Sequence, residues 1–145
     1  MSAFASSHGM IEALASTLID VQALIDAAPA SSMLIDQDGR VLTINRTGAA
    51  WLGLAPAQAL GLCVFDQFPV EVSKQRRRRL ESVVATRQPQ VFEDGRDGRY
   101  YRTSAVPVVD RDGQVCRVAI FSEDITAQHA AEQQLRDSEA HYRFL

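Results

Sequence analysis

Four consecutive arginines, residues 76–79, form the longest run of like charge in this 145-residue chain. They lie in a segment with helical apolar spacing, and four neighbours at about 100° per residue point almost all the way around a helix. Arg76 and Arg77 precede Leu80 by four and three residues, so both lean towards the apolar face. A guanidinium group there can bind the carboxylate of a ligand at a pocket mouth. Alternatively, its stem covers apolar surface while its charge stays in water.

The cysteines and histidines offer little further chemistry. Cys63 and Cys116 are far apart, which argues against a disulfide framework and a zinc site, and Cys63 fits a small core residue better than a redox thiol. His8, His129 and His141 lie near the two ends of the chain. Because the sequence has no GxSxG, HExxH or phosphate-binding glycine loop, we expect no catalytic residues and no metal site, and therefore no enzyme in this segment.

The composition is that of an ordinary folded domain. Hydrophobic residues make up 46% and charged residues 23%, which excludes intrinsic disorder. Fifteen basic against 18 acidic residues give a net charge of −3, so there is no basic field for a nucleic acid. No apolar run approaches the roughly 18 residues of a membrane span, and the first residues lack a signal-peptide pattern. We expect a cytoplasmic domain with no nucleic-acid partner and no membrane insertion.

An amphipathic helix is predicted from Met10 to Ala28, because Pro29 disfavours helix in the residue before it. Its apolar residues follow a 3-4-3-4 spacing, which is a heptad seam. Such a seam packs either on the domain's own sheet or on a second copy of the helix, and fewer than three heptads do not decide between them. We predict a homodimer whose interface contains the seam Ile11, Leu14, Leu18, Val21 and Ile25.

Five strands are predicted in the rest of the chain, and an Asp-Gly pair precedes three of them, as in tight hairpins. Two short helices and a longer one, Val70 to Arg87, separate the second and third strands, and a polar helix follows the last. This order predicts an α+β fold, an antiparallel sheet with helices on one face. Because residues 118–121 are apolar on both faces, we expect the N-terminal helix to cover the other face. The predicted strands are Ser32–Asp36, Arg40–Asn45, Gln90–Asp94, Arg99–Val109 and Gln114–Ser122.

Three segments resemble a bacterial PAS sensory domain: LIDAAPASSMLIDQDGRVLTINRTGAAWLGL, GLCVFDQF and GRYYRTSAVPVVDRDGQVCRVAIFSEDIT. The last contains the P-V-x-D-x-x-G hairpin of a broad subgroup and ends on Asp-Ile-Thr. The resemblance implies a five-stranded antiparallel sheet around a small pocket, with flanking helices that dimerise and relay a signal. We expect an N-terminal dimerisation helix in residues 1–28, the PAS domain in 29–126, and an exit helix in 127–145 that leads to a further domain.

The resemblance also implies where a ligand would bind. In ligand-binding PAS relatives, alternate residues of the last two strands face the pocket, and Trp51 and Phe65 could form its walls. Apolar side chains mixed with hydroxyl groups suit a small ligand and equally suit a filled core. The candidate pocket residues are Trp51, Cys63, Phe65, Arg76, Leu80, Tyr101, Thr103, Ala105, Val118, Ile120 and Ser122.

The cofactors known in this family do not match the sequence. Haem-binding PAS domains hold iron through a histidine on the long helix, and the helix predicted here has none. Flavin-binding LOV domains carry Gly-x-Asn-Cys-Arg-Phe-Leu-Gln, whereas residues 61–65 read GLCVF, without the asparagine and with the cysteine one position early. The LOV glutamine of the last strand falls at Ser122. We therefore expect a colourless protein with neither haem nor LOV flavin, and an unidentified small molecule as its ligand.

Asp124, Ile125 and Thr126 join the last pocket strand to the exit helix. We predict that they relay a ligand-induced shift into that helix, with Asp124 or Thr126 capping its start; capping alone is the alternative. Residues 137–145 resemble the first helix of another PAS domain. For the whole protein, the resemblance implies a sensor histidine kinase of a two-component system. A diguanylate cyclase and a ligand-free dimerisation module are the alternatives.

Overall fold

The computed structural model describes residues 2–144, with side chains from residue 5, and there the five predicted strands form one antiparallel sheet. The helices between the second and third strands pack on one face of it, as predicted for an α+β domain. The helices are α1 (Ser2–Ala27), α2 (Arg46–Trp51), α3 (Pro56–Ala59), α4 (Val70–Thr86) and α5 (Thr126–Arg143), with a 3₁₀ turn at Val64–Gln67 that was not predicted. The strands are β1 (Ser31–Ile35), β2 (Val41–Ile44), β3 (Gln90–Arg96), β4 (Arg99–Val109) and β5 (Val115–Asp124).

The strand order β2-β1-β5-β4-β3 places the first and last strands of the chain side by side in the middle of the sheet. Ser31 pairs with Ser122 and Ile35 with Val118 across β1 and β5. On the other side of β5, Thr103 of β4 pairs with the same Ser122. Paired residues share a face of the sheet, so these strands bring small, hydroxyl and apolar side chains together beneath the helices.

The strand connections use repeated turn chemistry, as predicted from the Asp-Gly pairs. Asp36 Oδ1 accepts the backbone N–H groups two and four residues later, both at 2.9 Å. Asp110 Oδ1 does the same in the turn before β5, at 2.9 and 3.0 Å. The β3–β4 turn contains only Asp97 and Gly98, both at positive φ (53° and 75°), which matches the twist of the two strands.

Asn45 is fully buried and makes four hydrogen bonds with its side chain. Its Oδ1 accepts the N–H groups of Gly48 (2.8 Å) and Ser32 (3.0 Å), and the first of these is the predicted helix cap. Its Nδ2 donates to the carbonyl groups of Ile25 and Ala30, both at 2.8 Å. One amide therefore joins the end of α1, the start of β1 and the start of α2.

The N-terminal helix leaves the outer face of the sheet uncovered, contrary to the sequence expectation. Leu14 and Leu18 are 60% and 71% exposed, and Phe121 on the outer face is 44% exposed. The hydrogen bonds from α1 to the sheet and α2 come from its last six residues, for example from Gln22 Nε2 to the Ile44 carbonyl at 3.4 Å. The rest of α1 extends past the sheet instead of lying on it. Within residues 2–144, no helix combines the length and apolar character needed to cross a bilayer.

Candidate ligand-binding site

A cavity of about 60 Å³ lies between the sheet and the helices. Strands β1, β3, β4 and β5 supply the sheet side of it, and α2, α4 and the residues around the 3₁₀ turn supply the other side. Gly48 belongs to the lining, and a side chain there would lie 2.8 Å from Ser31 Oγ. A cavity of this size holds roughly four to six water molecules, or a ligand of about as many non-hydrogen atoms.

Most of the predicted pocket residues line this cavity. The alternation predicted for the last two strands agrees with the lining, because inward residues of β4 and β5 are paired across the sheet. Whether these residues bind a ligand stays a prediction. The predicted residues found in the lining are Trp51, Phe65, Arg76, Leu80, Thr103, Ala105, Val118, Ile120 and Ser122.

Cys63 and Tyr101 were predicted in the lining and lie outside it. Cys63 Sγ lies 3.7 Å from the Asp38 carbonyl oxygen and 3.6 Å from Arg77 Nη2. It therefore faces the first hairpin, and Val64 next to it lines the cavity instead. Tyr101 follows the inward alternation, but its ring packs against Trp51, with ring centres 5.2 Å apart, and under another side chain from β3.

That side chain is Arg96, which belongs to a stack of arginines and aromatic rings. Its guanidinium carbon lies 4.7 Å from the centre of the Tyr101 ring and 4.9 Å from that of Phe68. Arg76 lies 5.0 Å from the centre of the same Phe68 ring. Arg79 lies 4.1 Å from the Phe92 ring, which Arg76 also approaches at 5.3 Å. Contacts of this kind are attractive because the face of an aromatic ring is negative.

All three guanidinium groups line the cavity, and one of them, Arg76, pairs with a carboxylate. Arg76 Nη2 is 2.8 Å from Asp94 Oδ2, and the Arg76 side chain is 11% exposed. Burial lowers the pKa of Arg76 below its ordinary value; the charge of Asp94 opposes this effect, and the charges of Arg96 and Arg79 add to it. The wall of the cavity is therefore strongly positive.

Arg79 and Arg96 line the cavity, although they were not predicted as pocket residues. Arg77 was considered as a residue that could bind an anion, and it lies outside the lining. Arg77 packs over the Phe65 ring at 4.7 Å, near Asp66, and does not line the cavity. Arg96 lies beyond the predicted end of β3. The two-residue Asp97-Gly98 turn was the signal that could have identified it, because the strands of a hairpin with so short a turn stay paired up to the turn itself.

Two hydroxyl groups on the sheet side of the cavity are paired with each other. The hydroxyl groups of Thr103 and Ser122 are 2.9 Å apart in a buried hydrogen bond. This bond links β4 to β5 at the cavity, two residues before the end of β5. Ser122 is therefore joined by its side chain to the neighbouring strand β4.

At the end of β5, Asp124 is the centre of a hydrogen-bond cluster. Its Oδ1 accepts the backbone N–H of Thr126 at 3.0 Å and also the Thr126 hydroxyl. Its Oδ2 lies 2.8 Å from Arg99 Nη1. The hydrogen bonds from Thr126, followed by that from Arg99, lower the pKa of Asp124 from 3.8 to about 2.

Of the two residues expected to cap α5, Asp124 accepts the N–H of its first residue, Thr126. The Thr126 hydroxyl instead accepts the N–H of Tyr100 at 3.0 Å. The N-cap position is held by buried Ile125, whose N–H donates to the Tyr100 carbonyl at 2.8 Å. The Tyr100 ring also stacks on His129 of α5, with ring centres 3.6 Å apart. Tyr100, which the sequence analysis did not single out, thus fixes the start of α5 to β4.

In the part of the chain that the structure describes, no group of three His, Cys, Asp or Glu side chains could hold a metal ion.

Comparison with known proteins places this architecture in one family. The family described as PAS fold matches residues 25–130, and the chain belongs to that family. No curated protein sequence matches it. PAS domains are typically sensory modules without catalytic activity.

Solved structures with this fold include domains of signalling proteins. A domain of an HTR-like protein from Haloarcula marismortui ATCC 43049 is 26% identical, with a TM-score of 0.60, over 68% of this chain and 100% of that one. A sensory box sensor histidine kinase from Vibrio cholerae is 14% identical, with a TM-score of 0.61, over 81% and 98%. The PAS domain of Bordetella pertussis BvgS is 21% identical, with a TM-score of 0.64, over 87% and 98%.

Proposed function

We propose that the chain is the sensory module of a multidomain signalling protein, which binds a small molecule in the cavity and relays its presence through the terminal helices. The cavity itself carries this proposal. A ligand-free dimerisation module would fill the space between sheet and helices with Trp51, Phe65 and Tyr101. Instead, Tyr101 lies outside the lining, and Trp51 is 37% exposed.

A short covalent path supports the relay. Ser122 lines the cavity, and Asp124 lies two residues further along the same strand. Asp124 binds the first residue of α5, and Tyr100 holds the same turn against β4. A ligand that displaces Ser122 would therefore shift the start of α5 without any intervening loop.

Two uncovered apolar surfaces support a homodimer. Four of the five seam residues of α1 are exposed, Ile25 being half-buried, and so is the outer face of the sheet, through Val91, Val106 and Phe121. Burying an apolar side chain of this size contributes about 1.5–3 kcal/mol. The four exposed seam residues of each copy could together offset an association cost of about 4–15 kcal/mol.

We propose a sensor histidine kinase as the parent protein, with a diguanylate cyclase as the alternative output. The resemblance to domains of signalling proteins supports this class of parent. In this arrangement residues 1–28 dimerise, residues 29–126 sense, and residues 127–145 lead to a further domain. The sensory module then works in the cytoplasm, without haem or LOV flavin.

Native mass spectrometry of the 145-residue chain, purified without added ligand, tests the sensory role. We expect a small molecule retained by the wild type and lost in Ala105→Leu, whose larger side chain enters the cavity. Val106→Leu is the matched control, since the next residue of β4 points to the outer face. If neither the wild type nor a wild type incubated with cell metabolites carries a bound molecule, the module acts without a ligand.

A further inference from the structure

We propose that the ligand is a small organic carboxylate, bound through its anionic group by Arg76, Arg79 and Arg96 and through its carbon chain by the apolar wall of the cavity. This inference rests on the proposed function, whose ligand it assigns to a chemical class. It concerns three residues of which two, Arg79 and Arg96, lie outside the predicted pocket set.

The positive charges around the cavity outnumber the negative ones. Three guanidinium groups line the cavity, whereas Asp94 pairs with Arg76 and does not itself line the cavity. Within residues 2–144, Arg79 and Arg96 form no ion pair. The charges of Arg79 and Arg96 are therefore unpaired and partly removed from water. An unpaired charge without full hydration raises the free energy of the folded state. An anion in the cavity would remove this cost.

Some N–H groups of the cluster have no acceptor. Each guanidinium carbon lies 4.1–5.0 Å from the centre of an aromatic ring, Phe68 for Arg76, Phe92 for Arg79 and Tyr101 for Arg96, and a ring supplies no oxygen acceptor for the N–H groups. In the described part of the chain, Nε of Arg76 and Nε of Arg96 are buried and make no hydrogen bond. The planar N–H edge of a guanidinium group fits the two oxygens of a carboxylate.

The rest of the lining is largely apolar. Leu80, Val118 and Ile120 contribute aliphatic side chains to it. An inorganic anion would satisfy the arginines and leave these side chains without a partner. A carboxylate with a short carbon chain satisfies both, and a cavity of this size admits about four to six non-hydrogen atoms.

An access route lies beside the cationic cluster. A surface cleft of about 260 Å³ shares Trp51, Leu52, Phe68 and Arg96 with the inner cavity. These shared side chains form the partition between the two spaces. Rotation of Arg96 and Trp51 would connect them, so that an arriving anion meets Arg96 first.

Isothermal titration calorimetry on the 145-residue chain tests the assignment with acetate, butyrate, butyramide and inorganic phosphate as probes. Butyramide has the shape of butyrate without its charge. We expect at least one carboxylate to bind more tightly than butyramide and phosphate by about tenfold or more, since hydrogen bonds between charged groups are strong.

Substitutions assign the binding to the cluster. Arg96→Gln and Arg79→Gln should each weaken carboxylate binding by about ten- to a hundredfold. Arg78→Gln, in the same helix but exposed and outside the lining, should leave it unchanged. Arg96→Lys should recover part of the loss, because it restores the charge but not the planar fork. Circular dichroism establishes that each variant is folded, and the two Gln variants are independent of each other.

The outcomes separate this inference from the sensory role. Butyramide binding as tightly as the carboxylates, phosphate binding most tightly, or equal losses in Arg78→Gln and Arg96→Gln would each overturn the carboxylate assignment while leaving a ligand-binding module. No binding of any carboxylate at millimolar concentration overturns it as well. The sensory role is decided separately, by the molecule that native mass spectrometry finds in the wild type and misses in Ala105→Leu.

Discussion

Asp124 is the residue at which sheet and exit helix meet, and three hydrogen-bond donors converge on its carboxylate. Two come from Thr126, and the third from Arg99 of the neighbouring strand. All three favour the ionised form. The carboxylate therefore stabilises the start of α5 as long as it remains charged.

The charge of Asp124 predicts an acid-dependent stability. Because its pKa is lowered from 3.8 to about 2, its contribution is fully present above about pH 4 and is lost as the pH falls towards 2. We expect Asp124→Asn to be less stable than the wild type at neutral pH, with a difference that shrinks between about pH 4 and pH 2. Urea unfolding curves of both proteins at several pH values measure this difference.

Asp112→Asn is the control for this experiment, since Asp112 is an exposed residue of the turn before β5. Its unfolding curves at the same pH values give the baseline for removing one exposed carboxylate. A constant difference for Asp124→Asn would mean that its hydrogen bonds do not persist in solution.

Single residues also show how far sequence reasoning reaches into the site. Alternation along one strand was sufficient for Thr103, Ala105 and Ile120, because a strand presents every second side chain to the same face. Tyr101 follows the same alternation and still lies outside the lining, since Arg96 from the adjacent strand lies over its ring. Which side chain covers another depends on the pairing of strands and on side-chain rotamers. The spacing of residues within one segment determines neither.

At the level of elements, the starts of strands were predicted better than their ends. Asp-Gly turns mark the starts through backbone geometry that the sequence displays directly. Strands β3 and β5 each extend two residues beyond their predicted ends, because pairing with β4 continues to Arg96 and Asp124 after the apolar pattern stops. Those two extensions contain the most important polar groups of the cavity and of the junction with α5.

The two Asp-x-Asp-Gly turns allow a matched test of turn geometry against packing. Gly39 and Gly113 both have positive φ, at 87° and 76°. A methyl group at Gly113 would meet nothing nearby, whereas at Gly39 it would overlap the ring of Phe65. We expect Gly113→Ala to cost about 1–2 kcal/mol in free energy of unfolding, from backbone strain alone. Gly39→Ala should cost about 1–3 kcal/mol more, from overpacking.

Chemical denaturation of the two variants under identical conditions gives both values. Equal losses would show that Phe65 moves aside without cost, and that the first hairpin is not fixed to the core by this contact. A larger loss for Gly39→Ala would identify the hairpin as part of the wall that holds Phe65 against the cavity.

For the whole molecule, the sequence did not decide what the apolar seam of α1 packs against. The heptad seam of α1 is equally consistent with packing on the sheet and with pairing between copies, because both arrangements bury the same side chains. The structure excludes the first within the described residues, since α1 contacts the domain through its C-terminal end and leaves Leu14 and Leu18 exposed. The outer face of the sheet is left exposed for the same reason, and apolar surface of this kind usually marks an interface.

The double substitution Leu14→Glu and Leu18→Glu tests whether that interface joins two copies of the chain. Each leucine contributes about 1.5–3 kcal/mol when buried, and four glutamates facing each other across a twofold axis would add repulsion, so we expect a monomer by light scattering. Ser16→Glu with Ala23→Glu is the control, since it adds the same charge on the opposite side of α1. If the control dimerises and the Leu14 and Leu18 variant does so equally, the copies associate through the outer face of the sheet without α1. Phe121→Glu should then be the substitution that separates them.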